Sequence, residues 1–489
     1  MSDNRKTLIL LTALIAFFIS LPIYADEDTP RNIWQEAQHH QQENENKLIT
    51  PDPIFAENNA ALIVINGQKF RVEDNLDNVG FALFLATIHQ QWPDVRRFLS
   101  SYKKLSGYDS MLVNFAQGGL ARLEENLELA TYHYQQILNQ QPDFPRVQLE
   151  LARVYFQDHK NREAERLFSE LSEKKQVPEA VLKNINSYLE AIKLRNGWRG
   201  SFSAGYAYNN NVNMSSNQDF ACLKINEEQC IQQQIPKAVK AWGMSYDATI
   251  SRRHQLFGNH GIAIRGLIYG ENYYNYHDEN ENTFQLTSGY SYKNRNHDIS
   301  FSPLFEYKQI AGDRFYHAAG IKTKWRWGIT SQTTLDIESE HKQLRHQHNY
   351  RRKDGGLTSS YLNLFHTISK DFILFGGGDW TYRGNDQYPV DRYQQWGVRA
   401  GVGGQIYSGI HGVLFATLRD RRFGAYSPML NAKRHDTEQI YTAVIRVPAA
   451  EIMGMTPSVT FRYRRNHSNV DWMYSYNKNE VLLRLEKFF

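Results

Sequence analysis

Val481-Leu-Leu-Arg-Leu-Glu-Lys-Phe-Phe489 is the last stretch of the sequence. Read with a period of two, Val481, Leu483, Leu485 and Phe489 share one face, while Glu480, Arg484 and Glu486 share the other. Leu482 and Lys487 break the alternation. A strand with one apolar and one charged face suits the wall of a transmembrane β-barrel, where lipid and lumen alternate along each strand. One such strand fits many folds, so the rest of the chain must supply its partners.

It does so from Gly197 onward. Trp242, Met244, Tyr246, Ala248 and Ile250 alternate with Ala241, Gly243, Ser245, Asp247 and Thr249, the first set suiting lipid. Val459, Phe461 and Tyr463 oppose Ser458, Thr460, Arg462 and Arg464; Leu335 and Ile337 oppose Asp336, Glu338 and Glu340. A soluble sheet rarely buries such charges, whereas a hydrated lumen accepts them. Strands are expected near 199–209, 240–252, 260–271, 282–294, 296–308, 315–328, 332–345, 354–369, 371–384, 391–405, 410–423, 436–449, 455–467 and 475–489. That makes about 14, an even number as in single-chain bacterial barrels. With the N-terminal domain in the periplasm, the connections 210–239, 272–281 and 424–435 face outward and are long. The inner ones at 293–297 and 369–370 are short, the asymmetry these barrels show. Those at 252–259 and 449–455 read as longer exceptions.

The N-terminal part has other periodicities. Arg5 and Lys6 precede the apolar run from Leu8 to Ile19, and Ile23-Tyr24-Ala25 offers a cleavage point, so 1–25 reads as a secretory signal peptide. Residues 26–60 are acidic and Gln/Asn-rich, with Pro51 and Pro53, and are expected to form a disordered arm. Asn66-Gly67 between Ala61–Ile65 and Gln68–Val72 signals a small hairpin. From about Asn78 to Arg195 the period is helical and a repeat of 34 residues appears: Gly118 and Ala152, Ala130 and Ala164, Tyr134 and Phe168, Ile137 and Leu171. Small residues where paired helices touch, with an aromatic four residues after the second Ala, resemble tetratricopeptide repeats. Pro142 ends the first unit, a less regular helix pair from Phe81 to Leu105 precedes it, and Pro178 to Leu194 would be the closing helix. The domain is taken as 61–196 and the barrel as 197–489.

Composition agrees with this division. At 489 residues at least two domains are expected, and 56 Lys+Arg against 52 Asp+Glu argues against nucleic-acid binding. The 29 Tyr, 26 Phe and 9 Trp suit aromatic girdles at two membrane interfaces. A mean hydropathy of −0.60, with no apolar run of about 18 residues beyond the N-terminus, excludes helical membrane spans.

Little in the chain suggests chemistry. Cys222 and Cys230, close together in a polar segment of an exported chain, point to one local disulfide, since a metal would need further ligands nearby. His341, His346 and His348 straddle a strand end and read as a solvated loop rather than a metal site. Asp336, Glu338 and Glu340 read as lumen polarity rather than as paired catalytic carboxylates. No nucleophile elbow, phosphate loop or His-Glu-x-x-His run occurs, so neither an enzyme nor a cofactor is expected. Gly376-Gly377-Gly378, Gly401, Gly403 and Gly404 fall within expected strands, where they relieve lumen crowding or admit close backbone approach.

Signal peptide, short tetratricopeptide-like domain and barrel together resemble the Slam family, the surface lipoprotein assembly modulators. Gly205-Tyr206-Ala207-Tyr208-Asn209-Asn210-Asn211-Val212-Asn213 is similar to the Asn-Val-Asn-bearing start of that family's barrel. Val481, Leu483, Leu485 and the terminal Phe489 also resemble the β-signal read by the barrel-assembly machinery. The resemblance implies an outer-membrane translocator, surrounded by outer-membrane lipid and acting as a monomer. Its client would be a surface lipoprotein or a secreted protein, delivered from the periplasm to the cell surface. An exopolysaccharide-export porin, which also joins periplasmic repeats to a barrel, and a passive porin with a docking domain are the alternatives.

Overall fold

A computed structural model describes residues 62–65, 68–174, 177–224, 230–369, 371–385 and 387–489, with side-chain surroundings for all of these except 62–71 and 221–231. The expected signal peptide and arm lie outside the described residues. The first element is the hairpin of β1 (Leu62–Ile65) and β2 (Gln68–Arg71), paired antiparallel across Ile65 and Gln68.

Seven helices follow before the first barrel strand: α1 (Leu76–Ile88), α2 (Trp92–Tyr102), α3 (Ser110–Leu123), α4 (Leu127–Gln140), α5 (Pro145–Gln157), α6 (Asn161–Ser172) and α7 (Glu179–Asn196). Local chemistry sets their starts. Asn75, Asp109 and Asn126 cap α1, α3 and α4 by accepting from Asn78 N, Met111 N and Leu129 N at 2.8, 2.8 and 3.1 Å. Pro145 opens α5, where the missing N–H costs nothing.

The 34-residue spacing has a packing cause. Gly118 on α3 lies so close to the Tyr134 ring on α4 that an added Cβ would come within 2.7 Å of it. In the next unit Ala152 on α5 and Ala164 on α6 are fully buried, and Phe168 stacks on Tyr188 of α7 at 4.8 Å. Ala130, Tyr134, Ile137 and Leu171 belong to the same apolar core. Burial pushes the Tyr134 phenol above its ordinary pKa. Helix α7 covers the face that α6 would otherwise leave open.

The barrel strands are β3 (Arg199–Asn209), β6 (Ala241–Phe257), β7 (His260–Tyr273), β8 (Glu281–Lys293), β9 (His297–Ile310), β10 (Asp313–Gly328), β11 (Thr333–His346), β12 (Gly355–Ser369), β13 (Phe372–Arg383), β14 (Tyr393–Tyr407), β15 (Ile410–Ser427), β16 (Ala432–Arg446), β17 (Thr456–Ser468) and β18 (Tyr476–Phe488). The long β3–β6 connection carries its own hairpin, β4 (Phe220–Lys224) with β5 (Cys230–Gln234). Each barrel strand pairs antiparallel with the next, and β18 pairs with β3, closing a ring of fourteen. The expected fold, a helical repeat domain followed by an antiparallel barrel, is the one observed.

Burial follows the alternation. On β18, Glu480 and Glu486 are 3% and 2% exposed on the inner face, while Leu483 is 50% exposed on the outer. Leu483 sits beside Val459 of β17 and Tyr206 of β3. Of the residues that break the pattern, Leu482 turns inward and Lys487 outward. On β14 the outward face runs from Trp396 through Val398 and Val402 to Ile406. Ten residues at ~3.4 Å each, tilted by ~40°, span about 26 Å, which matches a hydrocarbon band about 25 Å tall. Rings mark both edges: Trp325 stacks on Trp327 at the end nearest the helices, and Trp380 meets Trp396 at the far end. Among the described residues no helix is long and apolar enough to cross a membrane.

Two expected connections differ. Residues 252–259 are not a long turn, because β6 continues to Phe257 and β7 starts at His260, leaving Gly258-Asn259 as the turn. Likewise β15 and β16 run into 424–435 as far as Ser427 and Ala432. In both places the strands outrun the membrane, so polar side chains stop marking their ends.

Candidate functional site

The helical domain is fixed to one side of the barrel's near end. The α5–α6 turn meets the β6–β7 turn: Arg162 N donates to Gln255 Oε1 at 2.9 Å, and Glu163 accepts from Gln255 Nε2 at 2.7 Å and Gly258 N at 2.8 Å. Asn259 Nδ2 donates to Asp158 O at 2.5 Å and to Lys293 O at 2.8 Å. Arg252 Nε donates to Asn196 O at the end of α7 at 3.1 Å, and Arg295 pairs with Glu125. Arg162 and Glu163 stand in the first turn of α6, where backbone N–H groups lack helical partners, so the barrel turn supplies what the helix end needs.

This docking forms a cleft of about 1300 Å³ between α6, α7 and the near end of β6. Glu165, Glu179 and Glu190 line it together with Lys183, Lys193 and Arg252, around Leu189. Alternating charge around an apolar strip suits an extended polypeptide more than a small molecule.

The lumen beside it is lined with ion pairs. Asp336 takes Arg326 in a two-point contact at 2.8 and 3.0 Å; Glu338 meets Lys322 at 2.6 Å; Glu340 meets Lys342 at 3.3 Å. The three carboxylates that alternate on β11 are thus each held by a cation. Farther round the ring arginines take over, with Arg399 of β14 on Asp379 at 2.6 Å and Arg484 of β18 on Asp247 at 2.7 Å. On β12, β13 and β15, toward the near end of the lumen, Phe365, Ile373, Phe375 and Phe415 form an apolar patch. Gly401 makes room for it, since a Cβ there would stand 2.4 Å from the Phe375 ring and 2.5 Å from Phe415 Cβ.

The β3–β18 seam pairs over nine residues, from Asn209 opposite Glu480 to Ser201 opposite Phe488. At its near end Gly200 and Phe489 exchange backbone bonds of 2.8 and 3.1 Å. Its far end is held by side chains. Asn210 N donates to Asn479 O at 3.1 Å, and Asn479 N returns to Asn210 Oδ1 at 2.7 Å. Asn211 Nδ2 donates to Asn477 O at 3.0 Å and Ser215 O at 2.9 Å, and its Oδ1 accepts from Ser215 N at 2.9 Å. Asn213 ties the same loop to Lys237 O and Val239 N, both at 3.0 Å.

The residues singled out from sequence do not come together in one site. Gly118, Ala130, Tyr134, Ala152, Ala164 and Phe168 are core of the helical domain. Val481, Leu483 and Leu485 face out from β18, with Phe489 just past its end. The cysteine pair concerns side chains outside the described residues. His341 bonds Thr358 Oγ1 on the outer face at 2.8 Å, His346 bonds Asp354 at 3.0 Å, and His348 lies in the loop, so the three do not converge. The sequence reading missed Glu163, Gln255 and Asn259; the Gly258-Asn259 pair, a two-residue turn signal, was the available clue.

A closed barrel with an apolar belt and a charged lumen, carrying tetratricopeptide-like helices at one mouth, defines an outer-membrane β-barrel with a periplasmic repeat domain. Residues 198–489 match the model of the surface lipoprotein assembly modifier family, and 65–168 match the model of that family's N-terminal TPR repeats. A hemophilin secretion modulator of Acinetobacter baumannii is 35% identical over 500 residues, covering 99% of this chain and 100% of the relative. Surface lipoprotein assembly modifier 1 of Neisseria meningitidis serogroup B is 22% identical over 486 residues, 97% of this chain and 96% of its own. Among solved structures, the outer membrane channel DcaP of Acinetobacter baumannii covers 60% of this chain and 96% of its own, with a TM-score of 0.34 and 9% identity. The chain belongs to the surface lipoprotein assembly modifier family.

Proposed function

We propose that this protein carries a protein client, a lipoprotein or a secreted protein, from the periplasm to the cell surface. The cleft joining α6, α7 and β6 carries this reading: it opens where a periplasmic client would meet the barrel, and its mixed charge suits an extended chain. The full-length relative named for hemophilin secretion makes a protein of that kind the first client to test. Family membership favours protein delivery over the polysaccharide-export alternative. With no nucleotide motif in the sequence, client folding outside the cell would supply the direction of movement. Barrel-assembly machinery would read Val481, Leu483, Leu485 and Phe489, and one copy of the chain would suffice.

The test is surface display of candidate clients, scored by protease accessibility in intact cells with and without this gene. Loss of display at unchanged total client is expected. Reversing two cleft charges with Lys183→Glu and Lys193→Glu, both on the solvent face of α7, should reduce display while the helices stay folded. Normal display from that variant would remove the cleft from the pathway.

A further inference from the structure

From β15 to β18, charge on the barrel's outward face is uneven between the two ends. On β15 to β17 the far end carries Arg422, Lys433, His435, Arg465 and His467, all exposed. The register gathers them: Arg422 stands opposite His435, Thr437 opposite His467 and Gln439 opposite Arg465. Asp420 organises one half, accepting from Arg422 Nε at 2.8 Å and bonding His435 Nε2. At the near end of β15 to β18 the outward face offers Lys487 alone among strand cations.

The depth of this patch is fixed by the ring pair beneath it. Tyr441 and Tyr463 stack at 6.2 Å on the outward face, the place aromatic side chains take at a membrane interface. Arg465 follows Tyr463 by two residues on β17, which is about 5 Å farther along the membrane normal for a strand tilted by ~40°. Leu414 and Phe461, two residues nearer the periplasmic end in the same register, are 57% and 49% exposed to the hydrocarbon. The cations therefore stand just above the apolar belt, on the side away from the periplasmic helices. In the outer leaflet, phosphates on sugar headgroups occupy that level.

We propose that the ledge of Arg422, Lys433, His435, Arg465 and His467 binds the phosphorylated headgroup of an outer-leaflet glycolipid. Guanidinium groups match phosphate oxygens in two-point contacts, and the ledge meets them while Leu414 and Phe461 pack against the acyl chains. The site rests on the barrel's orientation in the outer membrane, and it holds whichever client is exported.

The test uses the folded full chain in neutral detergent, titrated with diphosphorylated lipid A, with the same glycolipid stripped of both phosphates, and with phosphatidylglycerol. The double variant Lys433→Gln, Arg465→Gln should bind diphosphorylated lipid A about 25-fold more weakly, on the order of fivefold per cation. Arg465→Lys keeps the charge but loses the two-point contact, so it should bind more weakly than wild type and more tightly than Arg465→Gln, and Lys487→Gln at the opposite end should bind as wild type. Heat-dependent gel mobility confirms that each barrel is folded. Equal binding by the double variant, or equal binding of the dephosphorylated glycolipid to wild type, would overturn the proposal. So would full competition by phosphatidylglycerol, which would mark a general anionic-lipid surface.

Discussion

Glu163→Ala should weaken the docking of the helical domain to the barrel while leaving both folded. The carboxylate accepts from Gln255 Nε2 at 2.7 Å and Gly258 N at 2.8 Å, and Gln255 is only 3% exposed. Hydrogen bonds to a charged group contribute about 1.5–3 kcal/mol each, and the half-buried position of Glu163 selects the lower figure. Two bonds give about 3 kcal/mol, or roughly a 100-fold weaker docking equilibrium. The helix itself loses less, on the order of 0.5 kcal/mol for an acidic first-turn residue. The reporter is the amide of Arg162, which lies in the first turn of α6 and donates to Gln255 Oε1 at 2.9 Å. The substitution leaves that donor and acceptor in place, so only separation of the two domains exposes it to exchange. Its protection factor should fall about 100-fold, while core amides of α5 and of the barrel keep theirs. An Arg162 amide as protected in the variant as in wild type would refute the docking argument.

Other consequences follow from single contacts. Tyr134→Ala empties the space above Gly118 and should destabilise the helical domain by about 3–5 kcal/mol; a lower helical melting temperature with unchanged barrel gel mobility would show it. Asn211→Ala strands Asn477 O, Ser215 O and Ser215 N, at about 1 kcal/mol each. Proteinase K should then cut within 210–240 of the intact barrel, and continued resistance would remove Asn211 from the seam's closure. In the loop beyond β11, burial pushes the Lys353 ammonium down to about 8 from 10.5, with Arg352 and Arg383 adding to the shift and Asp391 opposing it. Its folded pKa lies below its unfolded one, so the destabilisation is complete below about pH 8 and fades as pH rises to 10.5. Residues 347–354 should therefore gain protease resistance over that interval, and Lys353→Met should abolish the pH dependence.

What was legible in the sequence was whatever repeats along one element. A barrel strand need only keep lipid on one side and lumen on the other, so Val481, Leu483 and Leu485 against Glu480 and Glu486 could be read without knowing any neighbour. The repeat was legible for a similar reason: Gly118 must be small because Tyr134 crosses it, and the next unit solves the same problem with Ala152 and Phe168. Strand ends were not legible once strands left the membrane. Arg252, Arg253 and His254 look like a turn only if a strand is expected to stop where lipid stops. Here β6 continues to Phe257 so that Gln255 and Gly258 can meet α6, a reason that lies 92 and 95 residues away in the chain.

The asparagine run at 209–213 shows a different failure. Asparagine is a poor strand former and a good turn former, so local propensity reads this segment as the point where β3 simply ends. In the folded protein the ladder continues through side chains. The Asn210 carboxamide receives the Asn479 amide, and Asn211 reaches the Asn477 carbonyl. These are the bonds that residues 210 and 212 would have made had β3 continued in the same register. A side-chain amide copies a peptide group's hydrogen bonds without requiring its backbone to stay extended. The loop can therefore turn away toward β4 while the first and last strands remain joined.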